Sequence, residues 1–335
     1  MAFNFFPINY EPVYSLVRTR TYISQYIKLF NEEIRKNLSA IFVDPPLLTP
    51  TDSSWSAHKQ GVRNITFDNK FTCEVSEIID NPSNYLRYVS TTFTINDISL
   101  FTYMPSIKRD ANEGKGEVMI TNNYFIEYRL IENNQLKDQV ITLAKNIILM
   151  INDINKATIF KDIKQPSFIK QKLNVIHIEE LIKQFPTLPL RVALIEYINT
   201  HGITLVIGAC KLLANGRRLE DGLPTADDYD TTAFLYTYDA NTKSVLPIIK
   251  IATRPTTETI KQQLIMDTPS DLDENIYKDT IMNESIKFPY TIGIQIFFSN
   301  LMLVNLNKLH LCEVVASPHS SDLQKYFIDN HIEVM

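Results

Sequence analysis

The sequence predicts a mixed α/β fold of the α+β kind, with a mainly antiparallel sheet flanked by helices. Three observations point there: short strand-like runs mixed with long amphipathic stretches, an ordinary globular composition, and no repeat or low-complexity tract. A chain of 335 residues can bury a substantial core, and 44% hydrophobic against 21% charged residues are typical of one that does. With only 8 glycines and 16 prolines it has little linker material, so one domain is expected over 1–335, with its core within about 20–318.

The first element is a helix over 22–38. Ile23, Tyr26, Ile27, Phe30, Ile34 and Leu38 recur at helical spacing, and Arg35 and Lys36 sit in the closing turns. A β-rich run over 40–48 follows, stopped by Pro45 and Pro46 as at a strand end or sheet edge. Short strands are predicted over 65–67, 86–93, 100–103 and 118–120, while 124–131 suits either a strand or a helix. Residues 139–154 are helical, with Ile141, Leu143, Ala144, Ile147, Ile148 and Ile151 on one side. Further helices are predicted over 178–184 and 190–199, then a buried strand between Gly202 and Gly208 and a tight turn at Asn215-Gly216. Strands 232–238 and 245–251 can pair across 239–242, and 257–266 is a helix. An acidic helical or loop excursion over 269–288 precedes an apolar run over 292–304, which leads through Leu309-His310-Leu311 to Val314-Val315, a stretch that suits a strand.

A net charge of -5 and a pI near 5.7 give no general attraction to phosphate backbones, so nucleic acid is not an expected partner. The longest basic cluster, Gly216-Arg217-Arg218, is followed by Glu220 and Asp221 and is expected to be a solvated turn. Cys73, Cys210 and Cys312 lie far apart and fit reduced core thiols in a cytoplasmic protein. The first residues lack the pattern of a signal peptide, and no apolar run approaches the roughly 20 residues that span a bilayer, so neither secretion nor membrane insertion is expected. Frequent Ile, Asn, Lys and Tyr suit an AT-rich genome, and for a virus or parasite the compartment would be the host cytoplasm.

Taken in order, several of these segments resemble the ammonia-dependent asparagine synthetase (aspartate–ammonia ligase) family, which has a class II aminoacyl-tRNA synthetase-like catalytic fold. The opening helix with Val43-Asp44-Pro45-Pro46-Leu47-Leu48 resembles class II motif 1, with Pro46 as its fixed proline, and implies a homodimer through the 22–48 helix and strand. Phe101-Thr102-Tyr103-Met104 is similar to a Tyr-Thr-His-Met segment, and Glu180-Leu181-Ile182-Lys183-Gln184-Phe185-Pro186 to Glu-Leu-Leu-x-x-Tyr-Pro. Gly202 to Gly208 with Lys211 resembles the strand before a Lys-Leu-x-Asp-Gly turn. Asp228-Tyr229-Asp230 is similar to Asp-Tyr-Asp, and Arg254 with Lys261-Gln262-Gln263-Leu264 also corresponds. Pro289 through Leu311 keeps the length of motif 3. The resemblance makes Lys211, Asp228, Asp230 and Arg254 candidate substrate or nucleotide contacts.

The family's chemistry activates the aspartate side chain with ATP and Mg2+ as an acyl-adenylate, which ammonia then attacks. That transition state needs cations at the α-phosphate. The resemblance sets the motif 2 Lys-Trp-Lys-Arg against Phe93-Thr94-Ile95-Asn96, so Asn96 replaces an arginine. In Gly293-Ile294-Gln295-Ile296-Phe297-Phe298-Ser299-Asn300, Asn300 stands where motif 3 has its arginine, and Ile294, Ile296 and Phe297 are expected to fill the adenine slot. Pro247 falls at a magnesium-holding Glu, and Thr121-Asn122-Asn123-Tyr124-Phe125 lacks both acids of the aspartate-recognition segment Val-Asp-Gln-Trp-Asp. Losing one oxyanion donor costs about 3–4 kcal/mol, so losing several erases most of an enzymatic rate. Lys108, Arg109, Lys115, Lys211, Arg217, Arg218 and Arg254 remain to compose another anion site.

Other constellations favour plain roles. Asp227-Asp228-Asp230 suits a solvated acidic loop, and His310 near Cys312 and Glu313 lacks zinc spacing and suits the core. His177, His201 and His319 accompany no nucleophile motif, and Gly114-Lys115-Gly116 is too short for a phosphate loop. Trp55 suits a packing role near the substrate-side loop. The expectation is therefore a non-catalytic, dimeric binding or interaction module, with no bound cofactor or metal and an unidentified protein partner. The alternative is an ATP-dependent ligase, with ATP and Mg2+, that forms asparagine or a related amide.

Overall fold

The computed structural model describes residues 15–50, 55, 65–68, 75–92, 98–108, 111, 117–130, 136–157, 172–267 and 277–335. Apolar side chains three and four apart form α1 (Leu16–Leu38), whose Tyr22, Ile23, Tyr26, Phe30, Ile34 and Leu38 are buried. Ser15 caps its start, accepting from Arg18 N, and Ser39 ends it in the left-handed region at φ 47. β1 (Ala40–Phe42) follows at once. A small antiparallel sheet, in the order β2-β4-β3, is made by β2 (Leu48–Pro50), β3 (Thr66–Asp68) and β4 (Val75–Ile78).

Next comes α2 (Ser83–Val89), where the sequence pattern suggested a strand over 86–93. The local chemistry explains the helix: Asn81 Oδ1 accepts from Ser83 N at 3.1 Å, and Pro82 fixes the first backbone angle. β5 (Ser99–Ile107), β6 (Ile120–Arg129), α3 (Leu136–Ala157), β7 (Asn174–His177), α4 (Ile178–Gln184), α5 (Leu190–His201) and β8 (Thr204–Ile207) continue the chain. Residues 124–129, which suited either state, are strand. After β9 (Ala233–Asp239), β10 (Ser244–Thr253) and α6 (Thr257–Met266), β11 (Thr291–Ile296) runs into α7 (Phe298–Asn305). The expected strand near 309–315 is instead a short 3-10 turn, Leu311–Glu313, because His310 caps it and Glu313 returns a bond to the His310 backbone. α8 (Ser321–Asp329) lies beyond the expected core.

Eight strands form one sheet in the order β1-β5-β6-β11-β10-β9-β8-β7. Its central pairings are antiparallel, and the outermost pairs, β1 with β5 and β7 with β8, are parallel. Strand alternation gives the sheet two faces. One packs Phe101, Tyr124, Ile126, Leu235, Ile251 and Ile294 with α1, α3 and α7 in the largest core. The other turns Glu127, Lys250 and Gly293 toward α2, the 208–230 segment and α6. This assigns Ile294 and Ile296 to the core behind the sheet, correcting their expected place in an adenine slot. Phe297, at the strand end, instead packs with Phe234 at 6.2 Å and 20°, in a second core formed with α4 and α5. No described helix is long and apolar enough to cross a membrane.

Candidate functional site

The second face of the sheet carries a cluster of paired charges beside the apolar side chains of the second core. On β10, Lys250 Nζ lies 2.5 Å from Asp227 Oδ2, and Asp227 Oδ2 also accepts from Leu223 N at 2.8 Å. Just past the strand, Arg254 Nε donates to both Glu127 oxygens at 3.0 and 3.1 Å, its Nη2 also bonds Glu127, and its Nη1 donates to the Ala226 carbonyl at 2.6 Å. Thr291 on β11 donates its hydroxyl to the same carboxylate. Burial works against the Arg254 charge, but Glu127 outweighs it and holds the guanidinium above its usual range. A Cβ on Gly293 would come within 2.3 Å of that guanidinium, so glycine is needed for the arginine to lie flat on the strand.

These bonds fasten the 222–230 segment to the sheet, and α6 adds a clamp. Gln263 donates to the Pro224 and Asp227 carbonyls at 2.8 and 2.9 Å and accepts from Tyr229 N at 2.9 Å. Arg218 reaches Asp267 at 2.7 Å and lies over the Tyr229 ring, while Tyr229 donates to the same Asp267. Arg218 therefore belongs to a buried ion pair rather than to a solvated turn; Arg217 beside it is exposed. The acidic trio divides in the same way. Asp227 is buried, Asp228 is half-buried with its carboxyl pushed up by burial, and Asp230 is exposed. Asp228 Oδ1 accepts from Asp230 N at 3.1 Å, a local turn bond.

Lys211, past the end of β8, lies with Glu179 at 2.8 Å and Asp230 at 3.7 Å. So Lys211 and Asp230 come together, Asp228 joins them through the turn, and Arg254 belongs to the Glu127 pair. Asn300 on α7 donates through Nδ2 to the Pro247 carbonyl at 2.9 Å, which joins directly two positions that the resemblance singles out. Pro247 precedes a register shift in β10, where the ladder is interrupted and a proline is tolerated. In the 121–125 segment, Asn123 donates to Ser106 Oγ at 2.8 Å and Asn122 N donates to Ser299 Oγ at 2.8 Å. Phe93-Thr94-Ile95-Asn96, with Asn96, lies outside the described residues, as do Arg109 and Lys115.

A triphosphate with its magnesium needs unpaired cations and a carboxylate ligand. At this face Lys250 and Arg254 are committed to carboxylates, and Asn300 and Pro247 bond each other, so these residues do not fit it. Among the described residues no group of three His, Cys, Asp or Glu side chains could hold a metal ion. His310 is buried against Phe327, and the buried Cys210 thiol is pushed up by desolvation. Trp55 packs on Tyr88 of α2 with ring centroids 4.4 Å apart.

Lys250 and Arg87 escaped the sequence reading. Arg87 on α2 is buried, its Nη2 donates to the Pro255 carbonyl at 3.2 Å, and its guanidinium lies 4.8 Å from the Phe288 ring centre. The Asn81-Pro82-Ser83 helix start was the signal that could have placed it.

An antiparallel sheet with helices behind it and a charged site in front is the class II aminoacyl-tRNA synthetase-like fold. Accordingly, asparaginyl-tRNA synthetase from Entamoeba histolytica superposes with a TM-score of 0.66 at 11% identity, over 92% of this chain and 68% of that one. The profile of the aspartate–ammonia ligase family matches residues 17–331, and the chain belongs to that family. An aspartate–ammonia ligase from Clostridium perfringens is 24% identical over 99% of both chains, and one from Bacteroides thetaiotaomicron is 23% identical over 97% of both.

Proposed function

We propose that this chain is a family member that no longer makes the acyl-adenylate and works as a dimeric binding module. The observation that carries this reading is the Asn300 to Pro247 hydrogen bond. It replaces an arginine and a metal-ligating carboxylate, as implied by the resemblance, with an amide and a carbonyl that satisfy each other. The neighbouring cations are spent as well, since Lys250 and Arg254 neutralise Asp227 and Glu127. With no free guanidinium supplied by motif 3, negative charge developing at a breaking triphosphate goes uncompensated there. Dimerisation is supported by the motif 1 segment, where Ile41, Phe42, Leu47 and Leu48 are 39%, 44%, 65% and 51% exposed.

The test is a ligase assay with aspartate, ammonia, ATP and magnesium. Neither pyrophosphate nor asparagine should form above background, and sustained aspartate-dependent pyrophosphate release would overturn the reading. The second reading is an ATP-dependent ligase that forms asparagine or a related amide. The family match favours it, because relatives of full length are named aspartate–ammonia ligases. Under that reading, pyrophosphate release is present and is lost in Arg254→Ala.

A further inference from the structure

Thr257 and Lys261 stand one turn apart on α6 and line one side of a cavity of about 290 Å³, whose other side is the 277–284 segment. Its apolar wall is Met282, which is buried in a small core with Ile260, Leu264, Tyr277 and Ile281. The remaining walls carry both signs of charge, Lys261 and Lys278 against Asp279 and Glu284. Among the described residues, Lys261, Asp279 and Glu284 form no ion pair although they share this one space. Opposite charges that line a cavity without meeting leave room between them for a ligand that carries both. Asn283 adds a neutral donor: its Oδ1 accepts from Ser285 N at 3.0 Å and from Ser285 Oγ at 2.6 Å, which leaves Nδ2 for a ligand. Ligand pockets begin at roughly 300 Å³, so this one suits a molecule of amino-acid size rather than a nucleotide. Gln263, which clamps the 222–230 segment, follows Lys261 by half a turn and so lies on the opposite flank of α6. The cavity is therefore separate from the charged face of the sheet, yet it shares the helix that fastens that face.

We propose that this cavity binds a zwitterionic amino acid with an uncharged side chain. Lys261 and Lys278 receive the α-carboxylate, Asp279 and Glu284 receive the α-ammonium, and Met282 meets the carbon atoms of the side chain. A ligand of one sign gains one set of these groups and is repelled by the other, which is what selects a zwitterion. Bound there, the amino acid ties α6 to the 277–284 segment and steadies the helix whose Gln263 holds 222–230. The proposal goes beyond the binding-module reading and does not depend on it.

The experiment is calorimetric titration of the intact chain with L-serine and L-methionine, beside two analogues of serine: 3-hydroxypropionate, which lacks the ammonium, and ethanolamine, which lacks the carboxylate. At least one amino acid should bind, and both analogues should bind about tenfold more weakly than it or worse. Lys261→Met and the double change Asp279→Asn, Glu284→Gln should each weaken that binding about tenfold or more. Both variants should unfold at the wild-type temperature, because Asp279 and Glu284 are exposed, Lys261 is only half-buried, and none of the three makes an ion pair among the described residues. Should one variant fail to fold, the other decides. The loss in these variants also separates the cavity from the sheet face, whose charged residues they leave intact. The proposal is overturned if neither amino acid binds, if either analogue binds as tightly, or if a folded variant keeps the wild-type affinity. Turnover in the ligase assay would sink the binding-module reading while leaving this site standing; absence of amino-acid binding would do the reverse.

Discussion

Glu127 is gripped by Arg254 through three bonds and by the Thr291 hydroxyl, all in the interior. Removing the carboxylate while keeping its shape leaves Arg254 buried without a counter-charge. Glu127→Gln should therefore cost about 3–5 kcal/mol, read as a lower urea midpoint. A loss under about 1 kcal/mol would show that the pair contributes little to stability. Residue by residue, the sequence named Arg254, Asp228, Asn300 and Pro247, each through the family resemblance. It could not pair them. Glu127 is 127 positions from Arg254, and Pro247 is 53 from Asn300, and a single sequence carries no record of such pairings. Arg87 stayed hidden for the same reason: its hydrogen-bond partner, the Pro255 carbonyl, is 168 positions away.

At the scale of elements, α4 offers a pH test. His177 Nδ1 accepts from Glu179 N at 3.3 Å, and burial holds the imidazole below its usual value. A histidine with a lowered folded pKa is a liability when protonated: the cost is full below that pKa and vanishes above the unfolded value of about 6.5. Wild-type Tm should therefore fall between pH 7.5 and pH 5 by more than that of His177→Gln, which keeps an acceptor and does not titrate. Parallel profiles would show that the histidine does not contribute. Most elements were legible, down to 257–266 as the helix Thr257–Met266. The failures are short segments in which apolar spacing cannot separate period 2 from period 3.6. α2 has only seven residues, and its cap at Asn81-Pro82, not its hydrophobic pattern, decides its state.

For the whole molecule, the exposed apolar side chains of motif 1 lead to a prediction about assembly. A double Phe42→Asp, Leu48→Asp variant should sediment as a monomer where wild type sediments as a dimer. A monomeric wild-type chain would refute the dimer. The class of fold was legible because seven collinear segments matched one family's order. The division of the sheet into a fully apolar face and one that holds the charge cluster was not, because Ile294 and Gly293 are adjacent in sequence yet lie on opposite sides.

The strand order has one further consequence. β11 lies between β6 and β10, so it alone joins β1-β5-β6 to β10-β9-β8-β7. During synthesis it is the last of this sheet's eight strands to leave the ribosome. Until it does, the nascent chain holds two half-sheets with bare inner edges, and these invite pairing with other chains. A message truncated before codon 291 would yield an aggregation-prone fragment rather than a smaller working protein.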